Sequence, residues 1–342
     1  MIVVMKSTAT PSQVDRVIAL IREMGLKDQP IQGTELTVVA AIGDDRMKDR
    51  AVFEQLPGVE KVIPVLAPYK RASVEIKPER SVIDVGPMRI GSDAVYAIAG
   101  PCSVESESQI IEVAQAIKAV GASALRGGAF KPRTNPYSFQ GHGEAGLKML
   151  ATARDATGLP IVTEVISPDE VELVARYADV LQIGTRNAQN YRLLGAVGQT
   201  DLPVLFKRGM AMTLDEYLLA AEYILDAGNE KVILCERGIR SFEDYVRNTF
   251  ALAAIPELKR RSHLPVLADP SHGTGHAHLV PAMSQAAIAC GADALMIETH
   301  PDPTHALTDG AQTITPQQLG ETLLRCARIA TAIDRTMPDV GT

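Results

Sequence analysis

The segment Leu125–Gly141 concentrates side chains that bind phosphate. An apolar strand ends on Arg126, and after two glycines the chain places Lys131, Arg133 and Thr134 within four positions. The glycines allow a ligand to approach the backbone closely, and two prolines stiffen the loop. Guanidinium, ammonium and hydroxyl groups on a rigid loop predict a phosphate site. A solvated basic turn, the alternative, rarely has such glycines and prolines around its charges.

Further cations follow other predicted strands. Together with the loop they form this set: Arg126, Lys131, Arg133, Arg186, Lys207 and Arg237. Each one taken alone is explained equally well as a salt-bridge partner. The whole chain has a net charge of −7, and cations crowd together only against counter-charge, so the set predicts a shared site for anions. Its size indicates more than one phosphate together with a carboxylate.

A second set has the donor atoms of a metal site: Cys102, His272, Glu298 and Asp309. A thiolate, an imidazole and two carboxylates can hold a divalent ion, and this mixture of soft and hard donors suits Mn²⁺, Fe²⁺, Co²⁺ or Zn²⁺. No compact CxxC or HExxH motif is present, so the prediction depends on the fold bringing the four together. Cys102 by itself is better explained as a buried, inert thiol.

Short apolar runs alternate with helical segments over residues 94–342, and these elements must position both sets. The predicted strands are Val95–Ala99, Ala122–Leu125, Pro160–Val165, Val180–Ile183, Pro203–Lys207, Lys231–Cys235, Pro265–Ala268 and Ala294–Ile297. The predicted helices are Ser106–Val120, Glu144–Thr157, Pro168–Tyr177, Asn190–Val197, Leu214–Ala227, Phe242–Ala253, His278–Cys290 and Pro316–Ile333. Eight strands, each followed by a helix, predict an α/β fold, the (β/α)₈ TIM barrel, with its active site at the carboxyl ends of the strands. A doubly wound open sheet is the alternative.

Residues 1–66 predict a smaller α+β domain. The predicted elements are Ile2–Met5, Ser12–Met24, Pro30–Gln32, Leu36–Ile42, Asp45–Gln55 and Val62–Val65, with a turn at Gly33-Thr34. Their order, βαββαβ, is typical of a ferredoxin-like domain. Chemically active side chains do not cluster here, which favours binding or oligomerisation. Residues 67–93 are predicted to be a linker that includes a hairpin over Val82–Ile90 capping the barrel.

Composition narrows the classes of protein. The 342 residues suffice for two domains, and the acidic balance argues against nucleic-acid binding. No apolar run approaches the ~20 residues of a membrane span, and the apolar start of the chain is too short for a signal peptide. Four cysteines in a chain of this length do not indicate a disulfide framework. A cytoplasmic protein is expected.

The motifs resemble those of the type I 3-deoxy-D-arabino-heptulosonate 7-phosphate (DAHP) synthases, in the subgroup with a short N-terminal ferredoxin-like domain. From about Ala94 onward, these segments support the resemblance: Ile98–Glu105, Leu125–Gly141, Gln182–Asn187, Lys207–Gly209, Ile233–Gly238, Asp269–His272 and Glu298–Asp309. In combination they are highly specific. Residues 1–65 match the subgroup in pattern only.

The resemblance implies a transferase reaction. Phosphoenolpyruvate (PEP), erythrose 4-phosphate and water would give DAHP and phosphate, the first step of the shikimate route to chorismate and the aromatic amino acids. It implies metal ligation by Cys102, His272, Glu298 and Asp309. It implies a PEP site formed by Arg126, Lys131, Arg186, Lys207, Arg237 and the backbone of Thr185, and a sugar-phosphate site formed by Arg133 and Thr134.

The expected chemistry assigns two further roles. A metal polarises the aldehyde of erythrose 4-phosphate while C3 of PEP attacks it. Lys131 is expected to donate a proton or a hydrogen bond to the new alkoxide, and Glu164 to position the attacking water or a neighbouring lysine. The sequence leaves open which group activates that water.

Three positions depart from the family pattern. Asn135 stands where serine is usual, Thr185 where alanine is usual and His142 where an apolar residue is usual. The nearest alternative enzyme is 3-deoxy-D-manno-octulosonate 8-phosphate synthase, which uses arabinose 5-phosphate. Its sugar loop characteristically contains Lys-Ala-Asn-Arg-Ser, so Lys131-Pro-Arg-Thr134 argues against it. A non-catalytic protein on a barrel scaffold is disfavoured because no ligand of either set is lost.

The resemblance also implies regulation and assembly. In the resembling subgroup the N-terminal domain binds tyrosine or phenylalanine between subunits and inhibits the barrel. The family is typically tetrameric, so a homo-oligomer is expected. A purely structural role in oligomerisation is the alternative for this domain.

Overall fold

The structure divides the chain into two units, Met1–Glu79 and Arg80–Thr342. It is a computed structural model that describes residues 1–33, 37–43, 49–63, 67–132, 135 and 137–340. Among the helices in this part of the chain, none combines the length and the apolar character needed to cross a membrane.

The first unit is a four-stranded antiparallel sheet with two helices. Its elements are β1 (Ile2–Met5), α1 (Pro11–Glu23), β2 (Lys27–Gln32), β3 (Thr37–Ile42), α2 (Arg50–Glu54) and β4 (Val59–Ile63). The strand order β2-β3-β1-β4 is that of a ferredoxin-like domain, as the βαββαβ pattern predicts. Thr34 of the predicted turn and the first part of the predicted helix Asp45–Gln55 lie outside the described residues.

Both faces of strand β1 are buried. Val3 and Met5 belong to the apolar cluster that includes α1 and α2, whereas Ile2 and Val4 face a second cluster that includes Ile76. Successive side chains of a strand point to opposite faces of the sheet, so one short apolar run supplies both clusters. Ile76 is 1% exposed, and its packing places the segment after β4 within the first unit.

The second unit is a closed barrel of eight parallel strands. Its strands are β7 (Tyr96–Gly100), β8 (Ala124–Arg126), β9 (Ile161–Glu164), β10 (Val180–Ile183), β11 (Val204–Lys207), β12 (Val232–Glu236), β13 (Val266–Ala268) and β14 (Ala294–Glu298). Its helices are α3 (Glu107–Ala119), α4 (Glu144–Thr157), α5 (Val171–Ala175), α6 (Tyr191–Val197), α7 (Leu214–Asp226), α8 (Ala254–Arg261), α9 (Pro270–Thr274), α10 (Val280–Ala289) and α11 (Pro316–Ala332). The sheet closes where β14 pairs with β7, with Ala294 opposite Tyr96. Closure confirms the (β/α)₈ prediction and excludes the open sheet.

A hairpin fills the N-terminal end of the barrel. Strands β5 (Ile83–Val85) and β6 (Met88–Ile90) pair antiparallel. Their four apolar side chains join one buried cluster with inward-facing residues such as Val180 and Leu205. This end is packed with side chains, so only the carboxyl ends of the strands are free to form a site.

The predicted helix Phe242–Ala253 is wrong. The helix that follows β12 is α8, and it begins only at Ala254. Ile239 and Thr249 form an antiparallel bridge that holds the intervening residues as a loop. Phe242 is 95% exposed and Tyr245 is 66% exposed, so their apolar spacing does not mark a buried helical face.

Candidate active site

The alternation of the barrel strands positions the chemically active side chains. Inward-facing positions are apolar through the middle of the barrel, where Leu205, Ile233 and Met296 belong to the core. Two residues further along each strand except β7 and β12, the next inward position lies near the carboxyl end and has a polar or charged side chain. At these positions the chain has Arg126, Glu164, Gln182, Lys207, Asp269 and Glu298. On these strands the last core residue and the first residue of the site are therefore only two positions apart.

The predicted cations meet at one cavity of about 280 Å³ at the C-terminal end of the barrel. Arg126, Lys131, Arg186, Lys207 and Arg237 all line it. The predicted sugar-phosphate residues Arg133 and Thr134 lie outside the described residues. Their neighbours Pro132 and Asn135 line the same cavity, so the loop borders it on both sides of that pair.

Two of the cations are paired with buried carboxylates. Arg126 donates from Nη1 to Glu298 Oε1 and to the carbonyl of Pro101, both at 2.8 Å. Lys207 donates from Nζ to Asp269 Oδ2 at 2.6 Å. These pairs offset the cost of burying the charges, and they fix the direction of both side chains.

Arg237 lacks such a partner. Only 3% of the residue is exposed, and no group in the described part of the chain accepts a hydrogen bond from its Nε. Burial lowers the pKa of the guanidinium, which remains charged because arginine does not lose its proton in proteins. A buried cation with an unused donor, on the wall of a cavity, has the chemistry to bind an anionic ligand.

Three of the four predicted metal ligands come together in the structure. One donor atom from each of Cys102, Glu298 and Asp309 lies within 4.8 Å of the others. The fourth, His272, places Nε2 3.3 Å from Glu298 Oε1. A thiol and two carboxylates in buried contact, with an imidazole beside them, fit a divalent transition metal.

The Asp309 carboxylate is held in place by its loop. Its backbone has a φ of 51°, a left-handed conformation that is uncommon outside glycine. Cys102 donates to Asp309 Oδ2 at 3.2 Å, Ser103 contacts Thr308 at 2.7 Å, and the Leu307 amide donates to the Glu105 side chain at 2.8 Å. Three contacts in series therefore join the loops that follow β7 and β14.

The local charges act differently on the candidate metal ligands: they favour the protonated form of the Cys102 thiol and the ionised forms of Asp309 and Glu298. Burial, followed by the charge of Glu298, raises the pKa of the Cys102 thiol to about 11. Burial opposes ionisation of Asp309, but His272 and the Cys102 hydrogen bond hold the pKa of that carboxyl at about 2. His272 and Arg126 likewise lower the pKa of Glu298 against the effect of burial. Without a metal, the Cys102 thiol therefore keeps its proton at neutral pH, whereas both carboxyl groups favour the ionised form.

Lys131 reaches the donor set from the phosphate loop. Its Nζ donates to Cys102 Sγ at 3.0 Å and to the Cys102 carbonyl at 2.9 Å. Burial opposes the charge, but Cys102 and then Glu164 raise the pKa of Lys131 above its ordinary value. A Cβ at Gly128 would lie 2.7 Å from Lys131 Cδ, so this glycine makes room for the lysine. The ammonium group thus bridges the cation set and the metal ligands.

Glu164 and Thr185 take different positions. Glu164 is half-buried, lines the cavity and accepts weakly from Gln182 Nε2 at 3.4 Å. Thr185 also lines the cavity, but its hydroxyl donates to the Arg208 carbonyl at 2.6 Å.

Sequence reasoning missed Asp269. This carboxylate is fully buried and accepts hydrogen bonds from both Lys207 and His272, the latter from Nδ1 at 2.8 Å. Burial opposes its charge, but these partners hold the pKa of Asp269 well below its usual range. The signal was available, because an Asp-Pro-Ser-His run starts a short helix and brings residues three apart together.

Arg247 was also missed. It lies in the loop that was predicted to be helical, lines the cavity, and donates to Gln312 Oε1 at 3.2 Å and towards Asp309 at 3.5 Å. Gln312 in turn donates to Glu298 at 2.6 Å. No local pattern marks either residue, because each reaches the site through the tertiary fold.

Taken together, the fold and the site define a barrel protein with a cation-lined cavity beside a candidate metal centre. Comparison with known proteins identifies the family. The model of the DAHP synthetase I family matches residues 73–334, and that of the DAHP synthase ferredoxin-like domain matches residues 1–67. The chain belongs to the DAHP synthetase I family, which confirms the resemblance.

Individual relatives agree with this assignment. Phospho-2-dehydro-3-deoxyheptonate aldolase of Thermotoga maritima is 47% identical, over 97% of this chain and 98% of its own. A crystal structure of the DAHP synthase from Thermotoga maritima superposes with a TM-score of 0.78 at 46% identity, covering 98% of both chains. A 2-dehydro-3-deoxyphosphooctonate aldolase of Rhodopseudomonas palustris is 32% identical, over 76% of this chain and 96% of its own.

Proposed function

We propose that this chain is a DAHP synthase that condenses PEP with erythrose 4-phosphate and water, releasing DAHP and phosphate. One observation supports this above all. The five predicted cations and Arg247 line a single cavity, and one of them, Lys131, directly contacts a cluster of candidate metal-binding side chains. Such a cavity suits a substrate with both a phosphate and a carboxylate, as PEP has.

The cations bind and orient PEP in this proposal. Arg126 and Lys207 are fixed by Glu298 and Asp269, and Arg237 has a donor left for the ligand. Because these donors are already oriented, little free energy is needed to reorganise them when charge develops on the departing phosphate. Arg133 and Thr134, on the same loop as Lys131, are proposed to bind the phosphate of the sugar.

Cys102, His272, Glu298 and Asp309 would hold a divalent ion, proposed to be Mn²⁺, Fe²⁺, Co²⁺ or Zn²⁺. When bound, the ion supplies Lewis-acid polarisation of the aldehyde. Asp269 orients His272 through Nδ1, which leaves Nε2 directed at the donor cluster.

The reaction forms one carbon–carbon bond and one carbon–oxygen bond, and it breaks one carbon–oxygen bond. C3 of PEP bonds to the aldehyde carbon, water adds its oxygen to C2, and the bond from C2 to the phosphate oxygen breaks. The aldehyde oxygen gains a proton, and the ammonium group of Lys131 is the donor proposed here. Of the two protons that the water loses, one restores the ammonium group and the other leaves with the phosphate. Glu164, which faces the same cavity, is proposed to position the attacking water.

The octulosonate synthase alternative is less favoured. Its relatives are about one third identical, whereas the heptonate relative reaches 47% over nearly the whole chain. The loop Lys131-Pro-Arg-Thr134 also differs from the pattern of that enzyme.

Phosphate release from PEP tests the assignment. We expect release by the metal-reconstituted protein with erythrose 4-phosphate, little with arabinose 5-phosphate, and none after treatment with EDTA. Preference for the pentose would favour the octulosonate synthase. Failure with both sugars would contradict the enzyme proposal.

The first unit is proposed to regulate the barrel by binding tyrosine or phenylalanine in a homotetramer. Its match to the DAHP synthase ferredoxin-like domain supports this proposal. Adding either amino acid to the assay is expected to lower the rate, and sedimentation measures the assembly. An unchanged rate and no amino-acid binding would leave the domain a structural role only.

A further inference from the structure

Three residues at neighbouring strand ends form a hydrogen-bonded network, in which Arg208 and Glu236 are buried and Thr185 is half-buried at the edge of the cavity. Thr185, Arg208 and Glu236, here called the rear network, follow or end strands β10, β11 and β12. Thr185 Oγ1 donates to the Arg208 carbonyl at 2.6 Å, and Arg208 Nη1 donates to Glu236 Oε2 at 2.8 Å. Glu236 also accepts from the Gly238 amide at 2.7 Å. The network therefore links three neighbouring strand ends.

Each member of the rear network is the immediate neighbour of a cation on the cavity wall. Thr185 precedes Arg186, Arg208 follows Lys207, and Glu236 precedes Arg237. Those three cations line the cavity. Arg208 and Glu236 do not line the cavity, whereas Thr185 borders it beside Arg186, so the network supports the wall from which the three cations project.

Removing the charges of Arg208 and Glu236 from water costs free energy, which their hydrogen bonds must offset. Glu236 is fully buried and Arg208 is 7% exposed. Arg208 also donates from Nε and Nη2 to the Met212 carbonyl, at 3.0 and 2.8 Å. A buried ion pair contributes little stability beyond an apolar pair of the same shape, but its directional bonds define one geometry.

We infer that the rear network sets the spacing of Arg186, Lys207 and Arg237, and that Thr185, Arg208 and Glu236 are positioning residues for PEP. This inference rests on the proposed function. The Thr185 hydroxyl joins the β10 end to the β11 end, and the Arg208–Glu236 pair joins the β11 end to the β12 end. Loss of either the Thr185–Arg208 hydrogen bond or the Arg208–Glu236 ion pair would let the three cations move apart. Binding of a ligand that contacts all three would then weaken.

Thr185→Val is the most informative change, since it removes the hydroxyl but keeps the shape and the backbone. We expect its dissociation constant for PEP, measured by calorimetry, to rise about fivefold, the effect of one buried hydrogen bond. KM for PEP is expected to rise with it while kcat stays within about twofold, because the hydroxyl that is lost bonds to the Arg208 carbonyl and the backbone of Thr185 stays in place. Thr185→Ser restores the hydroxyl and is expected to restore binding.

Thr322→Val is the matched control. Thr322 is 1% exposed, and its hydroxyl donates to the Gln318 carbonyl at 2.7 Å within α11. The change removes the same kind of bond away from the cavity, so it is expected to alter the melting temperature but not PEP binding. Wild-type PEP affinity in Thr185→Val, or an equal loss in Thr322→Val, would overturn the inference. If the unmodified protein does not bind PEP, the proposed function fails, and the inference fails with it.

Discussion

Cys102 lies among groups that oppose loss of its proton. Burial and the nearby carboxylates raise the pKa of its thiol to about 11, so the thiol is protonated at neutral pH in the metal-free protein. A metal binds the thiolate. We predict that Zn²⁺ binding releases about one proton from Cys102 and that affinity rises about tenfold per pH unit between about pH 7 and about pH 9. Calorimetry in buffers of different ionisation enthalpy measures the proton count.

Two cysteine variants serve as the test and the control for this measurement. Cys102→Ser is expected to lose most of the affinity for Zn²⁺. Cys290→Ser, at the end of α10 and outside the donor cluster, is expected to keep both the affinity and the proton count. Equal proton release by the wild type and Cys102→Ser would show that sulfur is not a ligand.

Asp269 is the second residue from which a specific effect follows. It holds Lys207 and His272 at once, so Asp269→Asn keeps the volume but removes the charge that orients a PEP cation and a metal ligand. We predict a loss of about 10- to 100-fold in Zn²⁺ affinity, as for other changes that disturb the support of a metal ligand. PEP binding is predicted to weaken in parallel. Retention of both affinities would contradict this dual role.

Among the elements, the β5–β6 hairpin has a role separate from catalysis. Met88 is fully buried in the core of the barrel. Met88→Ala is predicted to lower the free energy of unfolding by about 2–5 kcal/mol, because it leaves a cavity in a packed core. Urea denaturation measures the loss.

Val82 is the matched control for the hairpin. It lies next to β5 but is 39% exposed, so Val82→Ala is predicted to change stability by less than about 0.5 kcal/mol. Neither variant is expected to change KM for PEP. A change in KM without a change in stability would show that the hairpin communicates with the site.

On the scale of the whole molecule, the barrel separates stability from chemistry at its two ends. Asp293 precedes β14 at the N-terminal end, is 2% exposed, and accepts from Lys259 at 2.7 Å and Arg335 at 3.1 Å. Like Asp269, it is a buried aspartate that accepts hydrogen bonds from two basic side chains, but it does not line the cavity. Ion pairs at the N-terminal end of such a barrel contribute to the stability of the fold and not to its chemistry.

Asp293→Asn is predicted to cost about 3 kcal/mol in the free energy of unfolding, because two partly buried cations, Lys259 and Arg335, keep their carbonyl acceptors but lose their shared carboxylate. Its kcat/KM is expected to match that of the wild type below the melting transition. Asp269→Asn is predicted to do the opposite: its kcat/KM falls even at temperatures where the protein is still folded. Loss of activity in the folded Asp293→Asn protein would contradict the separation of the two ends.

Several features were predictable from local sequence. The two-residue alternation of strands places Lys207 and Glu298 one step beyond the core, and this period is a property of the backbone itself. The βαββαβ order and the eightfold strand–helix repeat were likewise visible. The helix over Phe242–Ala253 failed because aromatic residues at helical spacing also occur in loops, where the solvent exposure of Phe242 and Tyr245 is not visible from the sequence.

The sequence by itself determined which side chains stand at strand ends, and hence the candidate anion site and the four candidate metal ligands. Only the tertiary structure decided which of them meet. Cys102 and Asp309 are far apart in the chain, yet they are in contact because closure of the barrel brings the loops after β7 and β14 together. Pairing of Asp269 with Lys207, and of Arg208 with Glu236, depends on strand register in the same way. Contacts between distant segments are set by packing, which no local pattern encodes.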